Sequence, residues 1–244
     1  MIKRKGFTFI EIALFLAVTA ALFIGIAVGM QNSITQQRYN ESTQEFLEFM
    51  RSIYSKVSNP QSPGRGNSNR AIYGKLVVFG ETYDITGNKI TEGNPIFMYD
   101  VVGDIVTSQN IGTETLTQML SKLNLDLSTP EKFEMPWQTS LQTTAGGKFV
   151  GSMLIVRHPR SGTINTLYWD GVINQNNPTV AATKPLAKNI KNFSSNNQII
   201  FCISPYSVGK TGPIPKQPIR LLSNARNASD VELIDLDSNN IKCN

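Results

Sequence analysis

The feature that most constrains this chain is an apolar run near its N-terminus, residues 7–30, which directly follows the basic residues 3–5 and a glycine. Within the run only Thr8, Glu11 and Thr19 are neither apolar nor small. A helix over this run would measure about 36 Å, and the hydrocarbon core of a bilayer is about 30 Å thick. By the positive-inside rule, the basic cluster stays in the cytoplasm and the chain after residue 30 lies outside. We therefore expect a single-pass membrane segment.

Glu11 needs an explanation, because an ionised carboxylate in hydrocarbon costs a few kcal/mol or more. A secretory signal peptide cut near Ala27-Val28-Gly29 would have a shorter apolar region and no acid. A plain signal anchor needs no glutamate either. A carboxylate that snorkels to the membrane surface would have no further role.

The stretch KGFTFIE, residues 5–11, resembles the leader region of type IV pilins and of the related pseudopilins of type II secretion systems. In that family a prepilin peptidase cuts after a glycine that follows a short basic leader, and the new N-terminal residue is then N-methylated. The resemblance, which covers residues 3–30, implies that Gly6 and Phe7 form the processing site. It also implies that Glu11 is the family's glutamate, five residues beyond the cut. The helix-breaking proline that many members carry in the later apolar part is missing, and Gly25 and Gly29 are the remaining candidates for a bend.

Cleavage after Gly6 would free an α-ammonium on Phe7 near the membrane surface. A carboxylate and an ammonium in an apolar bundle offset each other's desolvation only if they pair. The resemblance implies that Glu11 of an incoming subunit pairs with the Phe7 ammonium of the preceding one and sets the filament register. The expected partners are copies of this chain or other pilins, prepilin peptidase, the inner-membrane assembly platform and, before assembly, membrane lipid. The expected location is the cytoplasmic membrane, and afterwards an extracellular pilus.

The net charge of +5 gives little support to nucleic-acid binding. Without residues 1–6, which hold three of the 23 basic residues, 20 Lys and Arg face 18 Asp and Glu, or +2. Arg157, His158 and Arg160 on one hairpin are a modest candidate patch, which we discount because it lacks interleaved aromatic residues. Nucleic acid is therefore not an expected partner.

The chain after residue 30 predicts an α+β head. An apolar stripe at 46, 50, 53 and 57 predicts that one long helix runs from about Phe7 to about Ser58, with its amphipathic second half packed on an antiparallel sheet. Asn59-Pro60 ends this helix. Turn-bounded apolar runs predict strands at 71–79 and 96–102, a hairpin within 151–171, and further strands at 197–204, 219–223 and 231–236. A short helix is predicted at 113–127. The predicted organisation is a leader (1–6), a membrane helix (7–30), its amphipathic continuation (31–58) and a β-rich head (59–244). The pilin fold has this layout.

Two cysteines, Cys202 and Cys243, stand late in the chain. In a reducing compartment they would be free thiols, whereas outside the membrane a disulfide between them is favoured. The resemblance adds that many pilins have a disulfide-bounded C-terminal segment.

The sequence shows no pattern typical of catalysis, a metal site or a cofactor site. His158 is the single histidine, and SVGKTG at 207–212 lacks the first glycine of a phosphate-binding loop. The segment DLDSNN at 235–240 lacks the glycine and distal glutamate of a calcium loop and is better explained as a hairpin turn. Three Asn-x-Ser sequons, at Asn40, Asn192 and Asn227, are weak indicators of modification.

These patterns favour a structural subunit of a bacterial surface filament over an enzyme. One alternative is a pseudopilin of a type II secretion system, which shares the leader and differs in its partners. Another is a minor pilin with a role in adhesion or DNA uptake. A membrane-anchored protein outside the cytoplasm with no filament role is the remaining alternative. The sequence does not decide between a major and a minor subunit, or between motility, uptake and attachment.

Overall fold

The computed structural model describes residues 8–59, 70–79, 95–104, 116–144, 151–159, 161–170, 198–204, 218–222, 225–234 and 243. The predictions for Gly6, for Phe7 and for the turn at 235–240 lie outside these residues. The chain divides into two compact units, residues 1–41 and residues 42–244.

A single long helix, α1 (Phe9–Ser58), begins in the first unit. Its segment Phe9–Ala27 has a mean hydropathy of 2.5, is not buried at any position and is long and apolar enough to cross a membrane. The helix continues without a break through Gly25 and Gly29, although each glycine weakens a helix interior by about 1 kcal/mol.

The later part of α1 buries the predicted apolar stripe in the head. Phe46, Met50 and Ile53 are completely buried, and Val57 is 6% exposed. The opposite face of the helix is polar and exposed, which is the pattern of an amphipathic helix on a core.

The rest of the second unit is built from antiparallel strands. In chain order the elements are β1 (Arg70–Phe79), β2 (Ile96–Asp104), α2 (Leu116–Lys122), β3 (Asn124–Phe133), β4 (Ser140–Gln142), β5 (Gly151–Arg157), β6 (Ile164–Asp170), β7 (Ile199–Ser204), β8 (Pro218–Leu221) and β9 (Val231–Leu233). One sheet has the order β3-β2-β1-β5-β6 and the other has the order β4-β7-β8-β9. The predicted α+β layout, a long helix with antiparallel strands, is confirmed at this level.

The structure differs from the predicted elements in three ways. The helix predicted at 113–127 is too long, because α2 ends at Lys122 and β3 begins at Asn124. Leu123 and Leu125 alternate with polar residues and are buried, which is the periodicity of a strand. The head also has two sheets instead of one, and β4 was not predicted.

The two faces of the five-stranded sheet bury different partners. On one face, Leu76, Tyr99 and Leu154 belong to an apolar cluster that includes Met119 and Leu120 of α2. The other face lies against α1. The ring of Phe49 stacks on that of Phe133 with centroids 4.0 Å apart, and Phe46 meets Phe201 of β7 edge-on at 5.4 Å. Helix α1 therefore contacts both sheets of the head.

Candidate functional site

The start of α1 is a capping box formed by Thr8 and Glu11. The backbone N–H of Thr8 donates to Glu11 Oε2 at 2.8 Å, and the Thr8 hydroxyl donates to the same oxygen at 3.0 Å. In return the backbone N–H of Glu11 donates to Thr8 Oγ1 at 3.4 Å. This reciprocal arrangement satisfies donors that the first turn of a helix otherwise leaves unpaired. The sequence reasoning above missed it, although Thr-x-x-Glu before an apolar run is its usual signal.

The capping box occupies only one of the two oxygens of Glu11. Both donor groups of Thr8 bind Oε2, and within the described residues no hydrogen bond reaches Oε1. A carboxylate has about four acceptor positions. Glu11 can therefore keep its contacts with Thr8 and accept a further donor through Oε1.

The remaining polar side chain of the apolar segment, that of Thr19, donates its hydroxyl hydrogen within its own helix. The Thr19 hydroxyl lies 2.9 Å from the carbonyl oxygen of Phe15 and 3.0 Å from that of Leu16. Such bonds to the preceding turn remove the penalty of an unpaired hydroxyl in an apolar environment. Glu11, by contrast, keeps one carboxylate oxygen that accepts no hydrogen bond among the described residues.

Four polar contacts, here called the helix clamp, fix the C-terminal end of α1 to the head. Arg51 donates to the carbonyl oxygen of Val231 at 3.1 Å, and Lys56 Nζ lies 2.6 Å from Glu131 Oε2. The other two contacts are a buried hydroxyl chain from Tyr54 and an arginine cap on Ser58. Together they join the helix to β3, β5, β6 and β9.

The buried hydroxyl chain has a defined direction. Thr166 Oγ1 donates to the carbonyl oxygen of Ala225 at 2.7 Å, so Tyr54 donates its hydroxyl hydrogen to Thr166 Oγ1 at 2.9 Å. Burial raises the pKa of Tyr54 well above its ordinary value, which exceeds the lowering from the hydrogen bond to Thr166. The hydroxyl therefore stays protonated and remains a donor.

Lys75 of β1 also binds Glu131, the carboxylate that Lys56 of the helix clamp contacts. Lys75 Nζ lies 2.5 Å from Asp100 Oδ1 and 2.8 Å from Glu131 Oε1, and the Lys75 side chain is 9% exposed. Burial lowers the pKa of Lys75, but its bonds to the two carboxylates outweigh burial and the pKa is raised. Burial likewise raises the pKa of Glu131, while the hydrogen bonds from Lys56 and Lys75 reverse the shift and lower it. This group is a charge-balanced structural network.

The hairpin considered for nucleic-acid binding has a structural role. Arg157 Nη1 donates to the carbonyl oxygen of Ser58 at 2.6 Å and so caps the last turn of α1, where a cation is favoured. His158 Nδ1 accepts a hydrogen bond from the backbone N–H of Ser161 at 3.2 Å inside the turn. Gly162 follows with φ of +71°, a conformation that favours glycine. Arg160 lies outside the described residues.

Cys202 and Cys243 form a disulfide in the structure, with their Cα atoms 5.7 Å apart. Cys202 is completely buried in β7, and the bond closes a stretch of 41 residues that contains β8 and β9. It therefore ties the C-terminal end of the chain to the four-stranded sheet.

Among the described residues, no cluster of three or more His, Cys, Asp or Glu side chains could hold a metal ion. The residues proposed for processing, Gly6 and Phe7, lie outside the described part of the chain, while Glu11 lies at the start of α1. No protein-family model, curated protein or solved structure matches this chain.

Proposed function

We propose that this chain is a type IV pilin-like structural subunit, made as a prepilin and assembled into a filament through α1. The observation that carries the proposal is the half-used carboxylate of Glu11 at the start of an unburied apolar helix. It stands five residues after the glycine of a basic leader, where the family resemblance puts the glutamate.

Glu11 has a different partner at each stage of this mechanism. In the membrane, Thr8 supplies two donors to Oε2, which reduces the cost of keeping the acid near hydrocarbon. In the filament, the Phe7 ammonium of a neighbouring subunit binds the open Oε1. An incorrect stagger leaves both charges unpaired in an apolar bundle, so the pair selects one register.

The apolar segment supplies the assembly energy in the same proposal. Its large side chains, including Phe9 at 86% and Phe23 at 71% exposure, need lipid or other copies of the helix around them. The head provides the outer contacts, and the helix clamp holds it on α1.

The first test of this proposal is the N-terminal residue and its mass, taken from protein in native membranes or sheared surface filaments. We expect a chain that begins at N-methylated Phe7. A chain that begins at Met1, or near Gln31, would contradict the proposal, because Glu11 would then belong to an uncut anchor or a discarded signal.

The second test separates the charge of Glu11 from its capping role. Glu11→Gln keeps a side-chain oxygen for Thr8, since glutamine also serves in capping boxes, but it removes the negative charge. We expect this variant to keep the helix start and to lose filaments almost completely. Wild-type filament yield from Glu11→Gln would exclude the charge pair as the source of register.

A further inference from the structure

A glycosylation acceptor requires an accessible site on the protein surface. The Asn-x-Ser sequons of this chain differ in this respect. Asn40 is exposed on α1, but the serine of its sequon, Ser42, is completely buried and lies 2.5 Å from Thr139 Oγ1. The acceptor asparagine is thus in a helix and its serine hydroxyl is inside the head. Asn192 lies outside the described residues. The remaining sequon, Asn227-Ala228-Ser229, has a different geometry.

Asn227 and Ser229 are both exposed and in direct contact. The backbone N–H of Ser229 donates to Asn227 Oδ1 at 2.9 Å, and the Ser229 hydroxyl donates to the same oxygen. Asp230 holds the turn from the other side, because its Oδ2 accepts from the backbone N–H groups of Arg226 and Asn227 at 2.6 and 3.1 Å. The amide of Asn227 is therefore presented at the surface in a fixed orientation.

A capping role alone does not account for this contact. The turn Ala228–Asp230 needs only the backbone N–H of Ser229 to be capped, and the hydroxyl is a second donor. Two donors on Oδ1 polarise the amide and make the N–H groups on Nδ2 more acidic. Within the described residues, no hydrogen bond uses Nδ2. The oxygen is engaged and the nitrogen is left open for reaction.

We propose that Asn227 is an N-glycosylation site of this protein. The sugar donor is a polyprenyl-phosphate-linked oligosaccharide, and the enzyme is an oligosaccharyl transferase on the outer side of the membrane. A bond forms between Nδ2 and the anomeric carbon, the bond between that carbon and the phosphate oxygen breaks, and Nδ2 loses one proton. The site rests on the proposed function only in requiring that the head is exported.

The test is mass spectrometry of a tryptic digest of the full-length protein from its native cells. Trypsin cuts after Arg226 and Lys242, so the site lies in peptide 227–242, which contains no other sequon. We expect this peptide to carry a glycan mass and the Asn40 peptide, 39–51, to carry none. The increment should disappear in Asn227→Asp and in Ser229→Ala and persist in Ser229→Thr.

The variants separate modification from folding. Aspartate caps a helix as well as asparagine but has no amide nitrogen, so Asn227→Asp keeps the turn. An unmodified peptide 227–242 in the wild-type protein would overturn the proposal, as would an increment that survives in Asn227→Asp. The N-terminal peptide of the same digest, 7–38 if Gly6 is the cleavage site, reports on filament processing independently.

Discussion

Thr8 is the residue whose role the structure changes most, because its side chain and backbone are both bound to Glu11. We predict that Thr8→Ala frays the first turn of α1 and that Thr8→Ser keeps it, since serine also caps helices. Amide hydrogen exchange of the full chain in micelles should be several-fold faster at Glu11 in Thr8→Ala. Equal exchange in the alanine and serine variants would contradict the capping box.

The hydroxyl chain of Tyr54 and Thr166 leads to a graded prediction. Tyr54→Phe removes one buried hydrogen bond and should lower the free energy of unfolding by about 1 kcal/mol. Thr166→Val removes both bonds and leaves the Ala225 carbonyl without this donor, so it should cost about 2–3 kcal/mol.

Urea denaturation of the full chain in detergent measures both changes. Thr166→Ser, which keeps the hydroxyl, is the matched control and should remain closer to wild type than Thr166→Val. A larger cost for Tyr54→Phe than for Thr166→Val would contradict the two-bond chain through Thr166.

Sequence predicts these two residue-scale features unequally. The capping box is local, because Thr8 and Glu11 stand three positions apart and the pattern is legible in the sequence. The Tyr54 contact joins residues 112 positions apart, and no local pattern connects a helical tyrosine to a strand threonine. Only the fold brings them together.

At the scale of elements, Arg157 at the end of β5 caps the C-terminal end of α1, so replacing it should loosen the last turn of that helix. Arg157→Gln removes the cation at the C-terminal end of α1, and we expect faster amide exchange in the last turn, Ser55–Asn59. Gly162→Ala should act on the same cap, because a Cβ there would lie 3.2 Å from an Arg157 nitrogen and φ is positive. Protection of the last turn that is unchanged in both variants would contradict this role.

The contact between α1 and β3 predicts a dependence on acid pH. The pKa of Glu131 is lowered in the folded chain, so its contribution is present above the ordinary value of about 4.3 and is lost as the pH falls through the folded pKa. Because Glu131 is 46% exposed, we expect less than about 1 kcal/mol. Glu131→Gln should flatten the unfolding free energy against pH in this window, and an unchanged slope would contradict the assignment.

Strand β3 illustrates why part of the element set could not be predicted. It contains Pro130 and several charged residues, which are poor strand formers, and it lies at the edge of the sheet, where they are tolerated. Its apolar start was therefore interpreted as the end of a helix. β1 and the β5–β6 hairpin have dense apolar runs, and the sequence predicted them well.

At the scale of the whole molecule, the disulfide predicts the largest effect on the stability of the head. A bridge across 41 residues contributes about 4 kcal/mol in the chain-entropy model. Replacing Cys202 and Cys243 together by alanine should lower the urea midpoint accordingly, and reduction of the wild-type protein should have a similar effect. A midpoint that does not move under either treatment would contradict the pairing.

The division into two sheets could not be predicted from the sequence. β4 and β9 have three residues each, too short for a periodic pattern, and β4 pairs with β7 across about 60 residues of chain. The general layout of a long helix and antiparallel strands depends on long segments with a clear hydrophobic periodicity, and these could be recognised in the sequence.

The helix clamp has a mechanical consequence. Tension that enters the head through α1 reaches Arg51, Tyr54, Lys56 and Ser58 within little more than two helical turns. These four contacts reach four different strands, so the loss of one of them leaves the other three in place. Separating the end of α1 from the head therefore requires bonds to several strands to be broken.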